Sequence, residues 1–328
     1  MVFDKRIKIG VVGVGYLGCI HIQKLLVFKE VKLSGILDTN NERAKEIGKK
    51  YELEVFTELI DLAKISDAIC IVTPTETHFS IAEKVLKFGC HVFIEKPITY
   101  SVKEANSLIK LSSKFNKIIQ VGHIERFNAA YLGLNDYQIE PLFIECHRMS
   151  SFKNRGSEIS VILDLMIHDL DIVISLIDSK ISKVDANGIS VISQNIDIAN
   201  VRIIFKNGAV ANLTASRLSE KQIRKLRIFQ KDCYFTLDLL NKKLELYKHK
   251  NSSEIKAKDN IYLEGLDSSS IIYKNIQICN EDALEMEFLD FIQSIQNNTN
   301  PKISGYEGLK ALELALSIEK IINESQNK

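Results

Sequence analysis

Two polar residues, Asp164 and His168, stand four positions apart within a helical pattern at 159–177 that is apolar nearly all round. Residues at this spacing share one face of an α-helix, so the carboxylate and the imidazole can interact. Polar groups in an apolar helix are costly to bury unless they have partners. The pattern fits a structural Asp–His pair and equally fits a general base oriented by a carboxylate, and these residues alone leave both interpretations open.

A third candidate, Lys96, lies in the run Glu95-Lys96-Pro97, directly after a predicted buried strand at 91–94. Ligands of open α/β sheets bind at the carboxyl ends of the strands. A lysine at this place could therefore hydrogen-bond a substrate oxygen and stabilise a developing alkoxide. Either Lys96 or His168 could act as the base, and the residue types do not decide between them.

The same helix raises the possibility of a metal site. Asp164, His168 and Asp169 all carry side chains that can ligate a cation. The spacing supplies no third ligand on the face that Asp164 and His168 share. A metal-independent mechanism explains the same residues, so we expect no metal.

A glycine-rich turn near the N-terminus has the composition of a dinucleotide site. Gly13, Gly15 and Gly18 form G-x-G-x-x-G between a predicted strand and a predicted helix. In such a turn the first glycine permits the tight bend, the second lets the backbone approach the pyrophosphate, and the third allows close helix–strand packing. Asp38 lies twenty positions after Gly18, at the end of the next strand, where its carboxylate can accept hydrogen bonds from the ribose diol. It would repel a 2′-phosphate, so the sequence predicts NAD rather than NADP.

The elements that must position these residues change character near Gly122. Before it, strands and helices alternate, which predicts parallel βαβ units in a doubly wound (Rossmann) sheet. After it, a long helix is followed by successive strands with Asn207-Gly208 as a hairpin signal, which predicts an α+β domain on a mostly antiparallel sheet. We expect an NAD-binding domain at 1–122 and a substrate-binding and oligomerisation domain at 123–328. The predicted strands are 7–12, 31–37, 54–56, 67–72, 91–94, 118–121, 142–149, 184–192, 198–205, 209–216, 224–229, 234–238 and 243–247, and two helices at 281–296 and 306–325 close the chain.

Composition argues against several classes of protein. The 43 basic and 42 acidic side chains give a net charge of +1, which offers no electrostatic case for nucleic acid or an anionic membrane. No apolar run approaches the length of a membrane span, and the N-terminal segment has the pattern of a first strand rather than a signal peptide. The six cysteines form no C-x-x-C pair, so we expect neither a zinc ribbon nor a disulfide framework, and a reducing cytoplasm is the simplest location.

Four motifs, in this order, resemble the Gfo/Idh/MocA oxidoreductases: GVGYLG (13–18), TPTETH (73–78), EKP (95–97) and DLMIHD (164–169). The resemblance covers essentially the whole chain and implies an NAD-dependent dehydrogenase. By motif it implies that Lys96, Asp164 and His168 line the active site. It also implies that the TPTETH loop runs beside the cofactor, with His78 helping to fix it. The expected cofactor-binding residues are Gly13, Gly15, Tyr16, Leu17, Gly18, Asp38, Thr73, Pro74, Thr75, His78, Glu95 and Lys96.

The segment GHIERFN (122–128), taken with DLMIHDLD, resembles the nucleotide-sugar branch of the family. Many members carry a glycine-rich stretch before the second motif, whereas residues 157–161 read SEISV here, which argues against simple polyol and free-sugar dehydrogenases. The resemblance implies that NAD oxidises the C3 hydroxyl of UDP-N-acetylglucosamine. A PLP-dependent aminotransferase would then convert the 3-keto sugar for lipid A synthesis. The expected substrate-binding residues are Lys96, Arg126, Asn128, Arg155, Asp164 and His168, with Lys153 as a further phosphate-binding candidate.

Other interpretations remain at this point. Arg126 and Asn128 could instead cap a helix and pair with Glu125, and Arg155 could be an ordinary loop arginine. The substrate could be a UDP-sugar acid, another nucleotide sugar or a free polyol. A non-catalytic NAD-binding regulator is a further alternative, although such a protein would need none of Lys96, Asp164 and His168.

The predicted C-terminal sheet also bears on assembly. The helices can cover only one face of a sheet of about six strands, and runs such as IDIANVRIIF leave apolar side chains on the other face. Members of the resembled family pair through this sheet. We therefore expect a homodimer or homotetramer.

Overall fold

The computed structural model describes residues 6–152, 158–249, 261–262, 271–279 and 281–326. By their contacts the residues divide into two compact units. The first comprises Met1–Ile124 and Ala283–Leu312, and the second comprises Glu125–Asp282 and Glu313–Lys328. The division therefore differs from the expected domains 1–122 and 123–328, because a late segment of the chain returns to the first unit.

The first unit is built on a parallel sheet that, within the described residues, has six strands in the order β3-β2-β1-β4-β5-β6. This confirms the predicted doubly wound sheet. The order reverses between β1 and β4, and the crevice at the carboxyl ends of these strands is where such sheets bind ligands. The strands are β1 (Ile7–Val12), β2 (Val31–Leu37), β3 (Val55–Phe56), β4 (Ala68–Ile71), β5 (His91–Glu95) and β6 (Ile119–Gly122); the helices between them are α1 (Tyr16–Leu25), α2 (Asn41–Tyr51), α3 (Leu59–Lys64), α4 (Thr75–Lys87) and α5 (Val102–Phe115).

The returning segment joins the first unit through an aromatic contact. The helix that opens it (Ala283–Asn297) carries Phe288 and Phe291, whose ring centroids lie 5.0 and 5.8 Å from that of Phe93 on β5. All three rings are buried. The sequence predicts this helix, but no local pattern shows which sheet it covers, so its assignment to the second domain is corrected.

The second unit contains a mixed sheet that, within the described residues, has nine strands in the order β14-β15-β13-β12-β11-β7-β10-β9-β8. Among the described pairings, only β7 with β10 is parallel, so the prediction of a mostly antiparallel sheet is confirmed. The last two strands were not predicted, since one has two residues and the other begins with three consecutive apolar side chains rather than an alternation. The strands are β7 (Phe143–Met149), β8 (Ile181–Ile189), β9 (Ile198–Phe205), β10 (Val210–Ser216), β11 (Ile223–Gln230), β12 (Cys233–Asp238), β13 (Lys243–His249), β14 (Ile261–Tyr262) and β15 (Ile271–Ile276).

The helix expected at 159–177 is in fact composite. A π-helical turn, Ile162–Met166, leads into the α-helix α7, Ile167–Leu176. The sequence also predicts a helix near 124–134, and this segment likewise breaks into short pieces, of which the α-helical one is α6 (Ala129–Leu132). The chain closes with α8, the helix Ala283–Asn297 described above, and α9 (Gly305–Gln326). In the part of the chain that the structure describes, no helix combines the length and apolar character needed to cross a membrane.

Candidate active site

The glycine turn of the first unit has the shape that a dinucleotide needs. Gly13 has a φ of +91°, and a Cβ there would lie 2.5 Å from the Val72 carbonyl oxygen. A Cβ on Gly18 would lie 2.0 Å from the Gly13 carbonyl oxygen, so both positions require glycine. Around Gly15, by contrast, nothing lies within 4 Å of a Cβ position, which leaves the approach to the backbone open. A pyrophosphate fits this open side at the N-terminus of α1.

The first turn of α1 contains Tyr16 and Leu17, two of the expected cofactor contacts. Their side chains are exposed, at 68% and 40%. The N–H groups of a first helical turn have no partner within the helix and can face a bound phosphate. The position of both residues therefore fits backbone contacts to the cofactor.

Asp38 is fixed beside this turn by two backbone donors. The amide of Val14 donates to Oδ2 at 2.7 Å, and the amide of Asn40 donates to Oδ1 at 2.8 Å. Each carboxylate oxygen keeps a further lone pair for a ribose hydroxyl. Arg43, which was not predicted as part of this site, also contacts the turn. Its Nε donates to the Val14 carbonyl at 3.3 Å, and its Nη1 pairs with Glu46 at 2.7 Å. The signal for Arg43 was its place in the first turn of the helix that follows Asp38.

The TPTETH and EKP segments are joined by one buried histidine. His78, which is 1% exposed, lies 2.9 Å from the Thr73 carbonyl through Nε2 and 2.9 Å from the Pro97 carbonyl through Nδ1. Burial lowers its pKa, against the two carbonyls, which favour the protonated ring. These contacts make His78 a brace between the two loops. The loop itself starts α4 at Thr75, with Pro74 at the cap position.

Glu95 and Lys96 end strand β5 at the carboxyl edge of the sheet. The Glu95 carboxylate turns back into the unit, where it accepts the Lys96 amide at 3.1 Å and meets Nε2 of His21 at 2.9 Å. The peptide bond between Lys96 and Pro97 is cis. The Glu95 carboxylate thus binds the backbone of the turn that contains Lys96.

In the second unit, Asp164 lies within the π-helical turn and His168 in the first turn of α7. The assumption that a regular α-helix relates them is corrected, because the π turn changes the direction in which Asp164 projects. The Ser160 hydroxyl opens the segment: it accepts the Leu163 amide at 3.3 Å and donates to Glu319 of α9. Single π turns are frequent at functional sites, and here the turn carries a proposed catalytic carboxylate.

A buried arginine links the GHIERFN and DLMIHD motifs. Arg148 donates from Nε and Nη2 to the two carboxylate oxygens of Asp169 at 2.9 and 2.7 Å. Its Nη1 donates to Glu125 at 2.8 Å, and Glu125 also accepts Arg224 at 3.2 Å. Burial would raise the pKa of Glu125, but the charges of Arg148 and Arg224 outweigh it and lower that pKa. Because Asp169 directly follows His168, this network fixes the backbone at His168.

Arg148 was not predicted from the sequence, although its position in β7 carries a signal. Alternate positions of β7, at Ile144, Cys146 and Arg148, all face the buried side. An arginine in phase with buried residues needs carboxylate partners. Two of the carboxylates in the quoted motifs are those partners.

Two expected substrate residues prove to be engaged within the second unit. The Asn128 amide donates to Glu125 at 3.1 Å and to the Leu239 carbonyl at 2.8 Å, and its oxygen caps α6 by accepting the Ala130 amide at 3.0 Å. Arg126 is 9% exposed and lies 3.5 Å from Asp171. These contacts favour the capping and ion-pair interpretation over substrate contact, with Asp171 rather than Glu125 as the partner of Arg126.

The remaining expectations concern phosphate and metal ligands. Arg155 and Lys153 lie outside the described residues. Among the residues that are described, no group of three or more His, Cys, Asp or Glu side chains is arranged to hold a metal ion.

The doubly wound sheet and the open glycine turn beside Asp38 are the features of a dinucleotide-binding protein, and the Lys96 turn at the carboxyl edge of the sheet fits a dehydrogenase. Two family models match the chain: the oxidoreductase family with an NAD-binding Rossmann fold over residues 7–123, and the GFO/IDH/MocA C-terminal domain over residues 118–232. The chain belongs to the Gfo/Idh/MocA family, and it is an NAD-dependent dehydrogenase.

Individual relatives extend this result over the full length. The UDP-N-acetylglucosamine 3-dehydrogenase of Acidithiobacillus ferrooxidans is 34% identical over 314 residues, which cover 95% of this chain and 96% of the relative. A solved structure of that enzyme matches with a TM-score of 0.88 at 33% identity, covering 97% and 98% of the two chains. The structure of scyllo-inositol dehydrogenase from Lactobacillus casei with bound NAD(H) and scyllo-inositol has a TM-score of 0.77 at 22% identity, covers 98% of each chain, and shows the shared fold.

Proposed function

We propose that the protein uses NAD to oxidise the C3 hydroxyl of UDP-N-acetylglucosamine to a 3-keto nucleotide sugar. The observation that carries this proposal is the 34% identity to the Acidithiobacillus ferrooxidans enzyme over 95% of the chain. The match spans both family segments, so it includes the EKP turn and the helix with Asp164 and His168. The missing glycine-rich stretch before Asp164 also supports a nucleotide sugar.

The proposed mechanism divides the reaction between cofactor and protein. Bound NAD supplies the hydride acceptor. Lys96 donates a hydrogen bond to the C3 oxygen and stabilises negative charge as it develops there. His168 accepts the hydroxyl proton, and Asp164 orients His168 or contacts a neighbouring hydroxyl. In the alternative assignment, a neutral Lys96 amine accepts the hydroxyl proton in place of His168.

Substrate binding in this proposal relies partly on the UDP group. Arg155 and Lys153 are candidates for the diphosphate, since guanidinium groups bind phosphate oxygens in a bidentate manner. Remote binding energy positions the reacting carbon, so free N-acetylglucosamine should be a far poorer substrate. A UDP-sugar acid, another nucleotide sugar or a free polyol is the alternative substrate.

The proposed product suggests its consumer. A 3-keto sugar is a substrate for transamination by a PLP-dependent aminotransferase, and we infer such coupling in a route to lipid A diamino sugars. Because NAD and nucleotide sugars are cytoplasmic metabolites, we infer a cytoplasmic location.

A coupled assay tests the substrate and the position of oxidation together. The protein is incubated with NAD, UDP-N-acetylglucosamine, an aminotransferase that accepts 3-keto nucleotide sugars, and glutamate, and the new amine is located by NMR. We expect an amine at C3, formed about 10²-fold more slowly with the Lys96→Met variant. An amine at C4, or no reaction while a UDP-sugar acid is consumed, contradicts the proposal.

We also propose that a second copy of the chain binds the outer face of the nine-stranded sheet. Five aromatic rings form a row across five neighbouring strands, with successive centroids 5.9, 5.3, 4.5 and 5.1 Å apart. Each ring has a buried neighbour next to it on its strand, whereas the rings themselves are half-buried. The buried neighbours are Ile144, Ile228, Phe235, Leu246 and Ile272. A large apolar row on an outer face is typical of an oligomer interface. The row consists of Phe143, Phe229, Tyr234, Tyr247 and Tyr273.

A further inference from the structure

The dinucleotide helix α1 carries a buried histidine that the proposed mechanism does not use. His21 is 1% exposed and lies on the same helix whose N-terminus would face the pyrophosphate. Its ring contacts Phe93 and Phe288 edge-on, with centroids 5.6 and 5.3 Å away. A buried imidazole is costly unless its ring nitrogens have partners. Both nitrogens of His21 have one.

The partners of His21 are a thiol and a carboxylate. Nδ1 lies 3.3 Å from Sγ of Cys70 on β4, and Nε2 lies 2.9 Å from Oε1 of Glu95 on β5. A carboxylate only accepts hydrogen bonds, so Nε2 carries a proton. Nδ1 accepts the Cys70 S–H when the ring is neutral and donates to the sulfur when the ring is protonated. His21 therefore bridges two neighbouring strands of the parallel sheet.

A cysteine, histidine and glutamate in this order could suggest a nucleophilic centre. The reactive form of a cysteine is the thiolate. Cys70 is fully buried, and burial raises the pKa of its thiol well above the ordinary value, with the charges of Glu95 and Glu287 acting in the same direction. Cys70 thus stays protonated, and the cluster has a structural rather than a nucleophilic role.

Glu95 is held on three sides. His21 donates to Oε1, and the amide of Lys96 donates to Oε2 at 3.1 Å. Gly122 is the β6 partner of Glu95, and a Cβ on it would lie 3.0 Å from Oε2. The carboxylate thus lies against the bare backbone of Gly122. A larger side chain at position 122 would clash with the carboxylate, so Gly122, the first residue of GHIERFN, leaves space for Glu95.

We propose that His21 is a positioning residue for Lys96. His21 belongs to α1, the helix whose first turn would face the cofactor. By holding Glu95, it connects the turn that contains Lys96 to this helix. This inference rests on the proposed function, because it gives Lys96 a catalytic role. It explains why a buried ion-pairing group is placed directly below the EKP turn.

The charges around Glu95 decide how the contact between His21 and Glu95 responds to pH. The titratable groups facing Glu95 are His21 of α1, Cys70 of β4, His78 of α4 and its neighbour Lys96, while Glu287 of α8 acts on the same Cys70. Burial would raise the pKa of Glu95, but the hydrogen bond and charge of His21 and the charge and amide of Lys96 outweigh it and lower that pKa. Loss of His21 should therefore allow Glu95 to take up a proton at a higher pH and release the Lys96 amide.

The test compares three variants of the full-length protein. His21→Phe keeps the aromatic packing and removes the donor. His21→Gln can still donate from Nε2. His91→Phe is the matched control, because His91 stands at the other end of β5 and accepts the Ile118 amide at 3.0 Å, so its loss perturbs the same strand away from Glu95.

Two readouts are measured for each variant. The first is amide hydrogen exchange at Lys96 in NAD-free protein, which we expect to be about tenfold faster in His21→Phe, as for a lost hydrogen bond to a charged acceptor. The second is the pH dependence of kcat with a sugar that the wild type oxidises. Misplacement of Lys96 should lower kcat about 10²-fold at the optimum, with a further loss on the acid side. His21→Gln should recover most of both effects, while NAD affinity stays close to wild type.

Each outcome decides the inference. Unchanged Lys96 exchange in His21→Phe, or equal effects in His91→Phe, would reduce His21 to a packing residue. Faster exchange with an unaltered pH profile would also overturn the positioning role. If UDP-N-acetylglucosamine is not oxidised by the wild type, the proposed substrate fails, whereas the exchange measurement still tests His21.

Discussion

In the proposed reaction, Lys96 and His168 act on the proton of the C3 hydroxyl, and separate buried contacts hold the backbone of each residue. Lys96 rests on a turn fixed by Glu95 and His78. His168 is followed by Asp169, which Arg148 clamps with two hydrogen bonds. Both side chains are therefore carried by backbone that buried polar contacts hold in place, as a preorganised site requires.

Removal of either group should lower turnover strongly. We expect Lys96→Met and His168→Gln each to reduce kcat by about two orders of magnitude, as for loss of an acid–base or alkoxide-stabilising group. NAD affinity, measured by fluorescence titration, should change little in His168→Gln. Lys103→Met and His147→Gln serve as controls on side chains away from the proposed chemistry. A near-normal kcat in His168→Gln would return that residue to a structural Asp–His pair.

Cofactor choice is a second property of one residue. Asp38→Asn keeps an oxygen for one backbone amide but removes the charge that opposes a 2′-phosphate. Like-charge juxtaposition costs several kcal/mol, so the preference for NAD over NADP should narrow by about tenfold or more. The measurement is kcat/KM with each cofactor for both proteins. Wild-type protein that prefers NADP would contradict the assignment of Asp38.

Some site residues could be predicted from the sequence, whereas others depend on contacts that only the folded sheets create. Gly13, Gly18 and Asp38 could be predicted because each acts through local geometry that a short motif encodes. Arg148 and His21 could not, since their roles depend on partners brought together only by the sheets. Neither residue is part of a quoted motif, although His21 follows the glycine motif by three residues. For Arg148, the one indication is that it lies in phase with the buried residues of β7.

At the scale of elements, the helix with the candidate catalytic residues begins with a π turn and is held at its start and near its middle. Ser160 joins its start to Glu319 of α9, and Arg148 of β7 holds Asp169. The apolar pattern at 159–177 predicted a helix but not its type, because the pattern reports burial rather than hydrogen-bond register. Elements with long periodic patterns were predicted, whereas α3, β14 and β15 were missed because they are short or lack alternation.

The clamp on this element can be tested by stability. Arg148→Met leaves the Asp169 carboxylate buried without its partner, which should cost about 3–5 kcal/mol of unfolding free energy. Lys183→Met breaks an exposed β8 pair with Asp185 and should cost less than about 1 kcal/mol. Urea unfolding of both variants measures the difference. An Arg148→Met protein as stable as Lys183→Met would show that the buried network contributes little.

At the scale of the whole molecule, the chain order does not follow the units. The helix Ala283–Asn297 belongs to the first unit although it follows the second sheet in sequence. Its apolar face predicted a buried helix, but the choice of sheet depends on shape complementarity between aromatic rings. A sequence pattern therefore predicts that such a helix is buried, but not which distant element it packs against.

Assembly is the prediction that belongs to this scale. Charges introduced into the aromatic row, as in Tyr234→Asp with Tyr247→Asp, should convert a dimer or tetramer to smaller species at micromolar concentration. These rings stack with centroids 4.5 Å apart, so both would be desolvated in an interface. Tyr306→Asp, at an exposed tyrosine of the first unit, is the control. Sedimentation velocity decides, and a monomeric wild type would refute the proposed interface.

The central claim is that the hydride leaves C3 of UDP-N-acetylglucosamine. Its most direct test uses substrate labelled with deuterium at C3 and, separately, at C4, each incubated with the protein and NAD. We predict that mass spectrometry finds deuterium in the reduced cofactor only from the C3-labelled sugar. Deuterium from the C4-labelled sugar, or reduced cofactor without label from either, would contradict the proposed reaction.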